Sequence, residues 1–380
     1  MISNTHKKNT VEIMNPPRAG KVEPFPSGRL TFLAPLPMPT GVPPTDYGRA
    51  VGEVNDRYLD FGAGWPPVFG WQLALGTPFA GFLLSAFVFP VIAFFLFYAV
   101  GNGLPDALHA FWGVMDLSFW IGLWAGIFFL LLGLGIWFRK HLKYRTLTPT
   151  RFNRQRREVC FFPKGQREPI FVPWESLAAW VTEAQGVTEY GVQRQCGFGV
   201  GFLHPDTGEK YTLEFQAYGL QQAISNWEAV RAYMEYDVHT LKEIQDPLDL
   251  QDPDDPPWEG VHVFRNAKAR MHQRRRAGEV GWLYTLGWYL NHFSTLWTLP
   301  YHLVDWEVKK IQKMNRKALP EAMQRWSEPL PDDQWTKPSD ELKRQTARVQ
   351  ELLKANPGKN TLEIFAQVSD EFDAKASLTA

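Results

Sequence analysis

The sequence predicts a mixed α+β membrane protein, made of a two-helix transmembrane hairpin, an antiparallel β domain closed by a helix, and a helical C-terminal region. Three observations predict it. Two uncharged apolar runs, 79–100 and 118–138, each reach the roughly 20 residues that cross about 30 Å of hydrocarbon. The stretch that follows breaks into short apolar runs punctuated by Gly, Pro and Asn, as successive strands do. The last part alternates amphipathic segments with prolines.

Residues 1–70 form a proline-rich N-terminal arm. Pro16-Pro17, Pro24, Pro26, Pro35, Pro37, Pro39 and Pro43-Pro44 deny it regular helix or sheet, so it reads as an extended segment laid over another domain. Arg29-Leu30-Thr31-Phe32-Leu33 suits one short strand, and Tyr47, Tyr58, Leu59 and Phe61 mark the part that packs.

The hairpin occupies 71–140. No charged side chain falls between Phe61 and Pro105, and Gly101-Asn102-Gly103-Leu104-Pro105-Asp106 turns the chain back. A soluble core helix rarely stays apolar on every face for this length. Pro90 removes a backbone donor mid-span and is expected to kink the first helix, while Gly122 and Gly126 give the second a small-xxx-small packing face. Asp116 lies toward the loop and reads as interfacial. Arg49 and Arg57 precede the first span and Arg139, Lys140, Lys143 and Arg145 follow the second, whereas the loop has no Lys or Arg. Positive flanks stay in the cytoplasm, which places both termini of a multi-pass protein there. The apolar run starts too far from Met1 for a signal peptide. Two spans without interior charge argue against transport by this chain alone.

From 141 to 240 the pattern is β. Segments 145–153, 158–163, 169–173, 187–193, 197–204 and 210–216 read as strands, with a further element starting at Trp174. Pro163-Lys164-Gly165-Gln166 and His204-Pro205-Asp206-Thr207-Gly208-Glu209 are turns. The apolar positions Leu220, Ile224, Trp227, Val230, Ala232 and Met234 then follow helical spacing. Six or seven antiparallel strands capped by a helix resemble a pleckstrin-homology-like barrel. Val172-Pro173-Trp174-Glu175-Ser176-Leu177 resembles the "hydrophobic-x-Trp-x-x-hydrophobic" signature of bacterial membrane proteins with such a domain. Together with Asn15-Pro16-Pro17, Val54-Asn55-Asp56-Arg57-Tyr58-Leu59 and the hairpin, it also resembles an uncharacterised proteobacterial family encoded beside type VI secretion effectors. The resemblance implies a role around secretion, such as immunity against a partner toxin, and offers no catalytic motif.

An acidic proline-rich linker, 241–260, marks a boundary. In 261–320 a basic stretch that ends on Arg274, Arg275 and Arg276 precedes a second uncharged run, 280–304, rich in aromatics including Trp282, Trp288 and Trp297. Asn291, His292, Ser294, Thr295, Pro300 and His302 make this run more polar than the hairpin, and basic residues flank it on both sides. It reads as a segment in the membrane interface or folded against the hairpin, with a third span as the alternative. Those six Arg and Trp residues are the candidate lipid-contacting groups. Residues 321–380 read as a peripheral helical tail with amphipathic helices at 342–354 and 361–374.

Nothing points to catalysis, a cofactor or a metal. Gly197-Phe198-Gly199-Val200-Gly201 has the glycine spacing of a nucleotide loop, but no helix with a phosphate-binding lysine follows, so the glycines mark close packing. Cys160 and Cys196 read as reduced thiols on the cytoplasmic side. Forty basic and forty acidic residues cancel, which removes the field that nucleic acid would need. The expectation is a non-enzymatic inner-membrane protein that contacts lipid and binds a protein partner, a secretion effector or toxin, through its cytoplasmic domains. The alternative is a membrane-anchored lipid- or envelope-sensing module.

Overall fold

Among the described residues four strands form before the first long helix, where the sequence predicts an extended arm with one short strand at Arg29–Leu33: β1 (Val22–Phe25), β2 (Gly28–Ala34), β3 (Val51–Val54) and β4 (Tyr58–Phe61). The computed structural model that shows them describes residues 17–62, 64–144, 148–163, 168–188, 191–204, 207–245, 250–252 and 254–379. Two long helices follow, α1 (Val68–Ala99) and α2 (Leu104–Tyr144). Then come β5 (Thr150–Asn153), β6 (Glu158–Phe161), β7 (Ile170–Pro173), β8 (Ala178–Thr188), β9 (Gly191–Leu203) and β10 (Lys210–Ala217). The rest is helical: α3 (Leu220–Met234), the single turn α4 (Leu241–Ile244), α5 (Val261–Arg276), α6 (Trp282–Ser294) and α7 (Leu299–Ala318). The chain ends with α8 (Glu321–Trp326), α9 (Asp340–Ala355) and α10 (Thr361–Thr379). The chain divides into two compact units, one of residues 1–65, 148–247 and 319–380, the other of 66–147 and 248–318.

The first unit holds two five-stranded antiparallel sheets, ordered β1-β2-β8-β9-β10 and β3-β4-β5-β6-β7. The prolines of the N-terminal segment do not prevent this, because Pro24 sits in the edge strand β1 and Pro26, Pro35, Pro37, Pro39, Pro43 and Pro44 lie in connections. Asn55 closes the β3–β4 hairpin by accepting from the backbone N–H of Arg57 (2.9 Å) and Tyr58 (3.0 Å). Among the described residues no ladder joins the two sheets, so the expected barrel is not closed. The expected separate strand at 187–193 is not one: β8 runs to Thr188 and β9 starts at Gly191, and the residues pair across that hairpin. Asn15 and Pro16, the Lys164–Gln166 turn and parts of the acidic linker lie outside the described residues.

The signature stretch has a structural account. Val172, Trp174 and Leu177 are all buried, and residues Trp174–Ser176 form one tight turn between β7 and β8. The turn drives the Trp174 ring inward against Trp227 of α3 (centroids 5.2 Å) and Phe152 of β5 (5.9 Å). Its indole N–H donates to Glu235 (3.0 Å), whose carboxylate also accepts from both terminal nitrogens of Arg157 (2.8 and 3.0 Å). One motif therefore ties both sheets' junction to the capping helix. The glycines of Gly197-Phe198-Gly199-Val200-Gly201 make room for a ring: the Trp180 indole covers the places where side chains on Gly199 and Gly201 would stand.

The C-terminal helices are not peripheral. Leu342, Val349 and Leu352 of α9, with Leu362, Ile364, Phe365 and Val368 of α10, join the same buried cluster as Leu33, Phe61 and Trp227. Ser339 caps α9 by accepting from the Leu342 N–H (3.1 Å). Amphipathicity alone does not reveal whether an apolar stripe meets solvent or a sheet, which is why the segment reads as a tail in sequence.

The hairpin leaves and re-enters the first unit at one ladder. β4 leads into the hairpin and β5 returns from it, and Phe61 pairs directly with Thr150. The hairpin is thus an insertion between neighbouring strands of one sheet.

Candidate membrane-interface site

The second unit is built on α1 and α2, which pack antiparallel and are long and apolar enough to cross a membrane. Only 11% and 6% of their most apolar windows are buried, the reverse of a soluble core helix. Phe95, Leu96, Trp120, Trp124, Phe128 and Leu131 all face outward.

Contact between the helices is set by small residues. A Cβ on Gly122 would stand 2.7 Å from the Ser85 Cβ, and one on Gly126 3.4 Å from the Pro78 carbonyl oxygen. The Ser85 hydroxyl donates to the Ser118 carbonyl (2.7 Å) beside them. Gly133 continues the seam, where a Cβ would stand 3.1 Å from the Ala74 carbonyl oxygen. Sequence spacing points to Gly122 and Gly126 and misses Gly133.

Pro90 is buried, and α1 continues through it. The helix widens to a π-helical turn at Leu84–Val88, just ahead of Pro90, and again at Gln72–Gly76, just ahead of Pro78. Each proline then falls in the first turn of the next α-helical stretch, where its missing N–H is least costly. The sequence expectation of a kink at Pro90 thus has a local counterpart, the widening at Leu84–Val88.

Helices α5, α6 and α7 gather at the end of the hairpin where α1 starts and α2 finishes. The Val68 N–H at the start of α1 donates to Glu259 (2.7 Å), a carboxylate at a helix N-terminus. Asp305 of α7 accepts from the Trp258 indole (2.7 Å) and from the Val261 N–H at the start of α5 (3.3 Å). The run 280–304 is no single span. It splits because Leu296 and Trp297 take left-handed backbone conformations (φ 62° and 59°), and the Trp297 N–H closes the end of α6 on the His292 carbonyl (2.6 Å). Pro300, in the first turn of α7, is the sequence mark of this break. Phe293 meets Phe79 of α1 edge-on (5.7 Å), so the segment folds against the hairpin.

The six candidate interface residues separate into two groups. Trp288 and Trp297 turn inward around Phe264 of α5 (5.8 and 5.4 Å), where the His292 ring stacks on Trp288 (3.8 Å). Burial holds His292 below the usual imidazole range, and its Nδ1–H donates to the Trp288 carbonyl (2.8 Å). Trp282 instead points outward, 65% exposed, with Leu283, Leu286, Leu290 and Phe293. Arg275 and Arg276 are exposed at the end of α5, and Arg274 lies over the Tyr284 ring (5.6 Å) while pairing with Glu279 (3.2 Å). Three cations in the last turn also complement the helix dipole.

Sequence reading missed a second aromatic stack at the hairpin base. Trp137 lies between Trp71 (5.1 Å), His141 (5.0 Å) and Trp306 of α7 (5.8 Å). The Trp71 indole donates to the buried Glu307 of α7 (2.8 Å). Glu307 gives no signal in sequence, because its surroundings come from two distant segments. Among the described residues, no three of His, Cys, Asp and Glu gather as a metal would require. Compared with known proteins, the chain matches no family model, no curated protein and no solved structure.

Proposed function

We propose that this is a non-enzymatic protein of the bacterial inner membrane, anchored by the α1–α2 hairpin with both termini cytoplasmic, whose α+β unit binds a protein partner. The observation that carries the reading is the hairpin's place as an exposed apolar insertion between the paired strands β4 and β5. An anchor inserted in this way tethers a folded binding unit at two adjacent points. The two sheets capped by α3 support a pleckstrin-homology-like assignment for that unit. A surface for a partner is available at β10, which pairs only with β9 among the described residues and is followed by Tyr218, 99% exposed. The family resemblance gives the partner its class, a secretion effector or toxin that this chain neutralises or assists. Co-expression with the toxin encoded beside it tests this: protection and co-purification are expected, both weakened by Tyr218→Ala. Absence of both protection and co-purification would sink the proposal.

A second reading, a lipid- or envelope-sensing module, is favoured by the outward row Trp282, Leu283, Leu286 and Leu290 beside Arg275 and Arg276. Brominated lipids should quench Trp282 more strongly in anionic than in neutral nanodiscs, and Arg275→Ala with Arg276→Ala should abolish the difference. Quenching indifferent to lipid charge and salt would count against it.

A further inference from the structure

Between the first turns of α1 and the last turns of α2 runs a groove of about 410 Å³. Leu73, Ala74, Phe129 and Ile136 form apolar walls, and Trp137, Lys140 and Glu307 also line it. Glu307 is 2% exposed, and only its Oε2 is engaged, by the Trp71 indole (2.8 Å). Its Oε1 is buried and takes no hydrogen bond, and the Trp137 indole N–H is buried and makes none. Buried polar groups are almost always satisfied, so an unmet acceptor and an unmet donor on two residues that line one groove call for a ligand that supplies both counterparts. The acceptor belongs to a carboxyl group and is matched best by a cation that carries N–H. The donor and the lysine match an anionic oxygen, and the walls match hydrocarbon.

We propose that this groove binds a glycerophospholipid with a primary ammonium head group. The ammonium donates to Glu307 Oε1, the phosphodiester accepts from Trp137 and Lys140, and an acyl chain lies along Leu73 and Phe129. The inference rests on the reading of α1–α2 as a membrane hairpin and adds a site with its own selectivity. A choline head group keeps the charge but has no N–H, and a glycerol head group has no cation. The ammonium lipid alone fits both.

The test uses the full chain in nanodiscs of equal phosphatidylethanolamine, phosphatidylcholine and phosphatidylglycerol, with native mass spectrometry of the lipid retained after transfer to detergent. Retention of the ethanolamine lipid over the other two by about tenfold is expected, as for one charge-assisted hydrogen bond. Glu307→Gln should reduce the preference to within about twofold. Gly70→Leu offers an independent check. A side chain at Gly70 meets nothing within 4 Å but fills the groove, so retention should fall for every head group while circular dichroism stays unchanged. Equal retention by the wild type, an undiminished preference in Glu307→Gln, or undiminished lipid in Gly70→Leu overturns the site. A chain that does not enter nanodiscs overturns the hairpin reading itself, and the site with it.

Discussion

Arg151 and Asp60 are both buried, and they meet through two hydrogen bonds, Nε to Oδ1 at 2.6 Å and Nη2 to Oδ2 at 2.7 Å. The third nitrogen donates to the Ser327 hydroxyl (2.9 Å), and the guanidinium lies 3.6 Å over the Tyr58 ring. The pair joins β4 to β5, the two strands between which the hairpin is inserted, so it clamps the point of insertion. Asp60→Ala leaves a buried cation without its anion and should cost about 3–5 kcal/mol, measured by urea unfolding in detergent. A loss under 1 kcal/mol would show that water replaces the carboxylate. The cysteines give a second prediction at this scale. Burial pushes the Cys160 thiol up to about 12, and because a raised thiol pKa removes thiolate, roughly one molecule in ten thousand is reactive at pH 8. Cys196 is also raised, chiefly by burial, but is partly open to solvent. Iodoacetamide should therefore label Cys196 first, and Cys160 only on unfolding, as peptide mapping would reveal. Two reduced thiols are legible in the sequence. Their difference is not, because it depends on which face of a strand turns inward.

The hairpin shows at the scale of elements what sequence can and cannot give. Its existence follows from uncharged length, and Gly122 and Gly126 follow from spacing. Its register does not, because apolar side chains look alike from every side. The helix α2 has 41 residues, about 60 Å at 1.5 Å per residue, twice the hydrocarbon thickness. Asp116, expected at the interface, lies about 18 Å along α2 from Leu104. The contacts that define the seam (Ser85 with Ser118, Gly126 with Pro78, Gly133 with Ala74) place 118–138 beside the first part of α1. Residues 79–100 and 118–138 are thus offset along the hairpin. Gly122→Leu should destabilise the hairpin by about 1–3 kcal/mol through overpacking, whereas Gly113→Leu, with nothing within 4 Å, should be neutral. Thermal unfolding in detergent distinguishes the two, and equal effects would refute the seam. The break after α6 is harder to read: Pro300 marks it, but left-handed Leu296 and Trp297 are residues that seldom adopt that conformation, and Trp297 also packs on Phe264.

For the whole molecule, the chain order conceals the architecture. Strands before the hairpin pair with strands after it, and the last two helices fill the core of the unit that the N-terminal strands begin. Proline content hid β1, β3 and β4, while Arg29–Leu33 marked β2, and amphipathicity alone left α9 and α10 without a location. Deleting residues 339–380 removes Ile364 and Phe365, both fully buried, and should leave the first unit unfolded and prone to proteolysis. A peripheral tail would be dispensable, so a deletion variant with native protease resistance would contradict this account. Membrane anchoring and partner binding meet in the central claim, that an inserted hairpin crosses the bilayer while everything else stays on one side. Cysteine accessibility in intact spheroplasts tests it most directly, with Asn102→Cys in the hairpin loop and Lys337→Cys in the first unit, each in a Cys160→Ala, Cys196→Ser background. A membrane-impermeant maleimide should label position 102 at once and position 337 only after permeabilisation. Labelling of both positions in intact spheroplasts, or of neither, would contradict it.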